Sequence, residues 1–212
     1  MTLLTSGNAK LKKTAKLNKC IIKVFSLPAG GTCPFAGACK NWCYATTGNY
    51  CFPTVKAKHL NNFRISCSVS FADAIWGELK EIVAKAKGKK VWVRLHDTGD
   101  FYNDDYTNNW LTIMRKVPNV EFYAYTKSHP LFKKKIIPAN FTLLPSVGGT
   151  CDKDITGAHV YVFPEDGTVT PGDVEGNDDD IRNVLAIKTG HNVGLRAHGA
   201  AKKRVQESYT GE

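Results

Sequence analysis

The pattern that most restricts the fold is an alternation of short apolar runs with longer segments of helical periodicity. The runs are rich in β-branched and aromatic residues and end in turn residues, which is typical of buried strands. They lie at 21–27, 90–96, 120–126, 141–144 and 159–163. Between them, 52–67, 71–86 and 104–117 carry apolar residues at helical spacing. Such alternation favours a parallel sheet with crossover helices. Because four or five strands are too few for a complete eight-fold barrel, we predict an α/β fold with an incomplete or open (β/α) barrel.

Length and composition predict one domain that does not enter a membrane. The 212 residues suit a single domain, and no apolar run approaches the ~20 residues that a membrane helix needs. The N-terminus lacks the features of a signal peptide, so we expect a cytoplasmic protein. We divide the chain into a basic N-terminal arm at 1–19, a single β/α domain at 20–200 with an acidic loop near 164–180, and a flexible tail at 201–212.

Three cysteines lie in a short loop that follows the first predicted strand. Cys33, Cys39 and Cys43 have the spacing C-x5-C-x3-C. The chain has seven cysteines, an odd number, and no export signal, which argues against a disulfide framework. Thiolates are soft ligands that select zinc, Cu(I) or iron–sulfur centres. Because three thiols on one loop can hold a metal centre and leave its fourth position open, we predict an iron–sulfur cluster of the 4Fe–4S or 3Fe–4S type.

Two other interpretations of this cysteine loop stay open. Structural zinc usually has closely paired ligands, as in C-x2-C, and the longer gaps match that pattern poorly, although Cys51 or His59 would complete such a site. Cys151 is a more distant candidate for a fourth ligand. Free cysteine is also among the most often buried residue types, and buried thiols need no metal. The mixture of Gly, Pro, Lys and Asn around the three thiols favours a metal site.

The other predicted strands also end in residues that can carry chemistry. His96, Asp97, Gly99 and Asp100 follow the second strand, and Lys127 follows the third. In parallel β/α folds the carboxyl ends of the strands converge on the ligand site, so we expect these residues to face the cysteine loop. Two carboxylates and an imidazole can bind a cation or act as acid and base. The alternative is structural, since aspartate side chains commonly cap helices and form turns.

The net charge of +10 is unevenly distributed along the chain. Lysines cluster at 10–19, 80–90, 133–135 and 202–203, whereas nine of the nineteen acidic residues lie at 152–180. A basic face can bind nucleic acid or another polyanion. No basic stripe interleaved with aromatic residues accompanies the lysines, so we favour solvated helix faces and a basic arm over a nucleic-acid partner.

Three stretches of the chain resemble the bacteriophage gene product 88 family. They are 33–45, with its Cys-Pro-Phe-Ala-Gly and Cys-Tyr-Ala; 94–101, Arg-Leu-His-Asp-Thr-Gly-Asp-Phe; and 125–127, Tyr-Thr-Lys. They lie in the family's order and span about half of the chain. The resemblance implies a phage-encoded protein, and therefore the cytoplasm of the host cell. It implies no established activity.

A wider resemblance is to radical S-adenosylmethionine proteins, in which a strand leads into a three-cysteine loop at the mouth of a partial barrel. There an aromatic residue precedes the last cysteine, as Trp42 precedes Cys43 here. The resemblance implies an open iron that binds the amine and carboxylate of S-adenosylmethionine, with Gly99-Asp100 in the place of that family's Gly-Gly-Glu segment. The cofactor contacts that it implies are Trp42, Tyr44, Gly99, Asp100 and Lys127.

Together these patterns predict an iron–sulfur protein with a radical-SAM-like partial barrel and redox or S-adenosylmethionine chemistry. If it is a radical S-adenosylmethionine enzyme, its catalytic candidates are Asp97, Asp100 and His96. Its substrate, a small molecule or a macromolecule, is not specified. One alternative is a non-catalytic protein in which the cluster stabilises the fold or senses redox state, which the absence of a Gly-Gly-Glu segment favours. A second is a zinc-stabilised nucleic-acid-binding module, motivated by the charge of +10.

Overall fold

A computed structural model describes residues 2–197 together with Lys202 and Val205. The α-helices of this described part are α1 (Ala9–Leu17), α2 (Pro53–Ser66), α3 (Phe71–Lys85), α4 (Asp104–Lys116) and α5 (Asp180–Lys188). Its strands are β1 (Ile21–Phe25), β2 (Val91–Leu95), β3 (Val120–Thr126), β4 (Phe141–Pro145), β5 (Val160–Phe163), β6 (Val174–Glu175) and β7 (Val193–Arg196). The five predicted strands are therefore present, and the three predicted helices are α2, α3 and α4.

The paired strands are all parallel and form two sheets. The first has the order β1-β2-β3-β4 and the second the order β5-β7-β6. A single parallel bridge between Ser146 and Val160 connects β4 to β5. Crossovers through α2 and α3, and then through α4, keep the strands of the first sheet in chain order. As a result, the carboxyl ends of the strands lie at one edge of the molecule.

The first sheet is buried on both faces, which explains why its strands are nearly continuous apolar runs. Val91, Val93 and Leu95 of β2 belong to the core that the sheet forms with α3 and α4. Trp92 belongs to a second core, which also contains Leu11 of α1 and apolar residues of α5, β5 and β7. Successive side chains of a strand point to opposite faces, so one strand supplies both cores.

The N-terminal segment, which the sequence suggested as a basic arm, packs against the domain. Leu3, Leu4 and Leu11 are buried. Asn8 caps α1 by accepting a hydrogen bond from the backbone N–H of Leu11 at 3.1 Å. Lysines dominate the composition of this segment, but three leucines suffice to fix it on the domain surface. Most of its lysines are exposed, whereas Lys10 is partly buried.

The structure confirms the predicted α/β class, the single domain and the parallel strands. Strand pairing within the described residues does not make a continuous barrel, because one bridge alone joins the two sheets. The partial barrel therefore stays a prediction. The acidic loop predicted near 164–180 contains the short strand β6 and ends at the start of α5.

Two further expectations concern the ends of the chain and the membrane. The predicted flexible tail, 201–212, lies outside the described residues except for Lys202 and Val205. Within the part of the chain that the structure describes, no helix is both long and apolar enough to cross a membrane.

Candidate thiol-lined site

A cavity of about 380 Å³ opens at the edge where the parallel strands end. We call it the thiol-lined cavity, because Cys33, Cys39 and Cys43 all lie in its wall. The other residues proposed from the sequence line the same cavity: Trp42, Tyr44, His96, Asp97, Gly99, Asp100 and Lys127. They meet there because the loops after β1, β2 and β3 leave a parallel sheet at the same edge.

The cysteine loop is positioned by the loop that follows β4. The backbone N–H of Cys39 donates to the carbonyl of Gly148 at 3.1 Å. Gly37 permits a close approach, since a Cβ at that position would lie 2.8 Å from the carbonyl oxygen of Gly149. The loop itself consists mainly of short 3₁₀ helices at Ala38–Lys40, Tyr44–Thr46 and Gly48–Cys51. Backbone contacts between two loops therefore hold the cysteines at the cavity.

Burial in the cavity favours the protonated form of two thiols, Cys33 and Cys39. Burial raises the pKa of the Cys33 thiol to about 11, and the charges of Asp100, Cys39 and Cys43 add to this effect against a backbone hydrogen bond at Gly30. Burial also raises the pKa of the Cys39 thiol, whereas the ammonium group of Lys127 acts to lower it. The thiols thus lie near enough to one another to oppose simultaneous ionisation. A bound metal would reverse this preference, because it replaces the thiol protons.

The donor types suit an iron–sulfur cluster, but the arrangement of the donors does not yet form a ligand set. Across residues 2–197, Lys202 and Val205, no three His, Cys, Asp or Glu side chains are grouped so that they could hold a metal ion. Three thiols of one loop line one cavity, and thiolates are the ligands that such clusters use. Binding a cluster would therefore require the cysteine loop to bring its thiols closer together.

Asp100 joins the loop after β2 to the loop after β3. Its Oδ1 accepts hydrogen bonds from the backbone N–H of Phe101 at 2.8 Å and from Thr126 Oγ1 at 2.5 Å. Its Oδ2 accepts from the backbone N–H groups of Lys127 at 2.9 Å and Ser128 at 3.2 Å. Burial raises the pKa of Asp100, although these hydrogen bonds act to lower it. These four hydrogen bonds occupy the carboxylate, which thereby positions Lys127 and its neighbours.

Three side chains of the protein donate hydrogen bonds to Asp97. Its Oδ1 accepts a hydrogen bond from Ser26 Oγ, and its Oδ2 accepts from the Tyr50 hydroxyl at 3.4 Å. The hydroxyl of Tyr44 donates to the backbone carbonyl of Asp97. Tyr44 as a whole residue is 44% exposed, but burial of its hydroxyl raises the pKa of Tyr44. Asp97 therefore anchors the two tyrosines of the cysteine loop to the end of β2.

His96 and Gly99 have structural roles at the end of β2. His96 adopts a left-handed backbone conformation, with φ of 64°, and its Nε2 lies 2.8 Å from the Tyr106 hydroxyl. Its ring packs edge-on against Phe101, and burial lowers the pKa of His96 to about 3, so the ring is neutral at neutral pH. Gly99 has φ of 78°, and a Cβ there would lie 2.6 Å from the Cβ of Leu27.

Lys127 brings a positive charge to the thiols. Its Nζ donates a hydrogen bond to Ser146 Oγ at 3.0 Å and lies 6.0 Å from the centroid of the Trp42 ring. The same ammonium group acts to lower the pKa of Cys39. Lys127 and Trp42 therefore form one side of the cavity next to Cys39, which agrees with the placement expected from the sequence.

A buried ionic network next to the cavity was not predicted. Lys10 Nζ lies 2.6 Å from Asp180 Oδ1, and Arg94 Nη1 lies 2.8 Å from Asp180 Oδ2. The hydroxyls of Tyr123 and Tyr125 donate to the same carboxylate at 3.0 and 3.3 Å. Burial opposes ionisation of Asp180, but Arg94 and Lys10 overcome it and lower the pKa of Asp180. Arg94, an arginine within an apolar strand, was the sign of this network in the sequence. Its partner Asp180 lies 86 residues away, so the sequence did not identify the pair.

The cysteines outside the loop triad are free thiols, and the proposed fourth ligands lie apart from the cavity. Cys51 is exposed and Cys151 is half-buried. His59 is held by Thr98, whose Oγ1 lies 3.3 Å from His59 Nδ1. Within the described residues, none of these three candidates lines the thiol-lined cavity.

The fold and the site define an α/β protein with parallel sheets and a thiol-lined cavity at the carboxyl ends of its strands. The chain belongs to the Gene product 88 family, whose model matches residues 2–208. Two curated relatives are each named "Gene 88 protein": that of Mycobacterium phage L5 is 31% identical and that of Mycobacterium phage D29 is 30% identical, both over 117 residues.

Those matches cover 50% of this chain and 48% of each relative, so the aligned region spans about half the length of the curated relatives. The phage family expected from the sequence is thereby confirmed. No solved structure matches the chain. The comparisons give no support to the wider resemblance to radical S-adenosylmethionine proteins.

Proposed function

We propose that this protein binds an iron–sulfur cluster of the 4Fe–4S or 3Fe–4S type through Cys33, Cys39 and Cys43. The observation that carries the proposal is that all three cysteines of one loop line a single cavity. That cavity opens at the carboxyl ends of parallel strands, the edge at which ligands bind in open α/β folds. Three thiolate ligands would leave a fourth cluster position available to a further ligand.

The chain's own residues supply the conditions that such a site needs. Burial keeps Cys33 and Cys39 protonated without a metal, so loading releases protons and becomes more favourable as pH rises. Lys127 offsets part of the negative charge that the thiolates then carry. All seven cysteines are free, which suits a reducing compartment such as the host cytoplasm, where we place the protein.

The proposal also includes an open, radical-SAM-like partial barrel. Its support is the parallel direction of all paired strands and the bridge between Ser146 and Val160, which extends the order β1-β2-β3-β4 into β5-β7-β6. Helix α5 and Leu11 of α1 pack on the inner face of this arrangement. In this interpretation the thiol-lined cavity is the mouth of the barrel.

A non-catalytic cluster that stabilises the fold or senses redox state is the version that the carboxylates favour. Asp100 accepts four hydrogen bonds, and Asp97 accepts from Ser26 and Tyr50. Neither carboxylate is therefore free to act as the acid or base, or to hold the amine of S-adenosylmethionine, without losing these contacts. Redox or S-adenosylmethionine chemistry at the cluster remains the catalytic alternative.

Anaerobic purification followed by iron, sulfide and zinc analysis tests cluster binding. We expect a brown protein with matched iron and sulfide, and loss of both in Cys39→Ser. Cys67→Ser is the control, because Cys67 is an exposed thiol outside the cavity. A colourless protein with stoichiometric zinc, or equal iron loss in both variants, would contradict the proposal.

Electron paramagnetic resonance of the reduced protein distinguishes the two versions. In the non-catalytic version, S-adenosylmethionine leaves the spectrum of the cluster unchanged and is recovered intact. A changed spectrum together with cleavage of S-adenosylmethionine would establish the catalytic version.

A further inference from the structure

A second cavity lies at the opposite end of the first sheet from the thiols. Its volume is about 600 Å³, and we call it the basic groove because Lys19, Lys87, Lys89 and Lys90 lie in its wall. These lysines come from two turns, one between α1 and β1 and one between α3 and β2. Both turns precede strands, so the groove is at the amino ends of strands whose carboxyl ends meet the thiol-lined cavity.

The charge of the basic groove is not balanced by acidic residues in its wall. Its lining contains no Asp or Glu within the described part of the chain, and none of its four lysines forms an ion pair there. The nearby Asp179 accepts hydrogen bonds from Asn18 at 3.0 Å and from the backbone N–H of Ile181 at 2.9 Å, which caps α5.

Helix dipoles do not cancel this positive charge. α1 and α3 both end at the groove, and each helix C-terminus carries about half a negative charge. Four lysines against two such ends and the Asp179 carboxylate leave a net charge of about +2. Lys87, Lys89 and Lys90 are exposed, so their ammonium groups can move onto a ligand without breaking contacts in the fold.

We infer that the basic groove binds the phosphate backbone of a nucleic acid. Four unpaired lysines in an open groove supply point charges for successive phosphates, whereas a site for one small anion would need converging, fixed donors. The exposed Leu185 and the buried Trp92 and Ile181 form the apolar part of the wall. The inference is independent of the proposed cluster, because the two cavities share no lining residue.

Fluorescence anisotropy with a labelled single-stranded DNA oligonucleotide tests this inference on the full chain. For single strands the logarithm of the binding constant falls with the logarithm of salt concentration by about 0.7 per phosphate contacted. Four contacts therefore predict a slope of about −3, and the triple variant Lys87→Glu, Lys89→Glu, Lys90→Glu should bring it to about −1 with at least about tenfold weaker binding at low salt.

The matched control is Lys56→Glu, Lys134→Glu, Lys153→Glu, which makes the same charge change at exposed lysines outside both cavities. It should leave the slope near −3. The triple variant with glutamine at 87, 89 and 90 should also bind the oligonucleotide more weakly than the wild type. A native melting temperature for this variant excludes misfolding as the cause.

Three results would overturn the inference. The first is no binding of the oligonucleotide at low salt. The second is an equal loss of affinity for the oligonucleotide in the groove and control variants, which would show that only the overall charge matters. The third is displacement of the oligonucleotide by inorganic phosphate at constant ionic strength, which would identify a small-anion site.

Discussion

Arg94 Nη1 lies 2.8 Å from Asp180 Oδ2, with the Asp180 side chain fully buried and that of Arg94 13% exposed. Lys10 contacts the other oxygen of the same carboxylate at 2.6 Å. Because Arg94 is on β2 and Asp180 begins α5, the pair joins the first sheet to the helix that covers it. One carboxylate thus serves as the shared counter-ion of two cations next to the thiol-lined cavity.

Asp180→Asn should therefore destabilise the protein by about 3–5 kcal/mol, because it leaves a buried arginine and a lysine without their counter-ion. The free energy of unfolding in urea measures the effect. Asp178→Asn is the control: Asp178 pairs with Lys13 at 2.8 Å, but both side chains are largely exposed, so the loss should be far smaller than that of Asp180→Asn. Similar losses in the two variants would contradict the role assigned to the buried pair.

His96 should make stability depend on pH between 6.5 and about 3. Burial lowers the pKa of His96 from 6.5 to about 3, so the unfolded chain takes up a proton that the folded chain excludes. The contribution of His96 to stability is complete above pH 6.5 and is lost as pH falls from 6.5 toward 3. Its slope is at most about 1.4 kcal/mol per pH unit.

Urea unfolding at several pH values, compared between the wild type and His96→Asn, isolates this contribution. Asparagine tolerates the left-handed backbone of position 96. Burial also lowers the pKa of His59 and His129, but these residues act equally in both proteins. A wild-type slope in His96→Asn would show that His96 is not held neutral.

Gly99→Ala should cost more stability than Gly30→Ala. Both glycines have positive φ, 78° and 84°, so alanine is strained at either position. At Gly99 the added Cβ would also lie 2.6 Å from Leu27 Cβ and from Thr32 Oγ1, whereas at Gly30 no atom lies within 4 Å. We expect losses of about 1 kcal/mol at Gly30 and about 2–4 kcal/mol at Gly99, measured by urea unfolding. Equal losses would mean that the close approach at Gly99 is relieved without cost.

The rate of alkylation should differ among the cysteines according to their burial and charge. Iodoacetamide reacts with thiolates, and burial raises the pKa of Cys33 and Cys39. In the metal-free protein at pH 8 we therefore expect the exposed Cys51 and Cys67 to be modified first, as followed by mass spectrometry of peptides. Reaction of Cys33 as fast as Cys67 would contradict the buried site, and urea-unfolded protein, in which all thiols react, is the control.

Much of the fold could be predicted because its signals are local. The four strands of the first sheet and the helices α2, α3 and α4 follow from periodicity. Strand β3, for example, runs from Val120 to Thr126 as expected. Helix α1 was not predicted because it has few apolar residues. Leu11 is buried only by residues from distant parts of the chain, which form the second core. The pairing of β5, β7 and β6 was also not predictable, because it depends on contacts between distant segments.

The composition of the candidate site was predicted better than the roles of its residues. All ten proposed residues line the cavity, since parallel strands bring their carboxyl ends together. Sequence alone could not show that His96 packs against Phe101 in the core, or that the carboxylate of Asp100 is taken up by backbone donors. Those assignments depend on the direction of each side chain after the loops have packed.

By itself, the sequence determined that Cys33, Cys39 and Cys43 follow a strand and that charged residues end the neighbouring strands. These are facts of order and spacing along the chain, which local periodicity reveals. Only the tertiary structure decided that Arg94 meets Asp180 and that lysines from two separate turns form one basic groove. Contacts of this kind arise from the packing of segments far apart in sequence, and no local pattern encodes their distance.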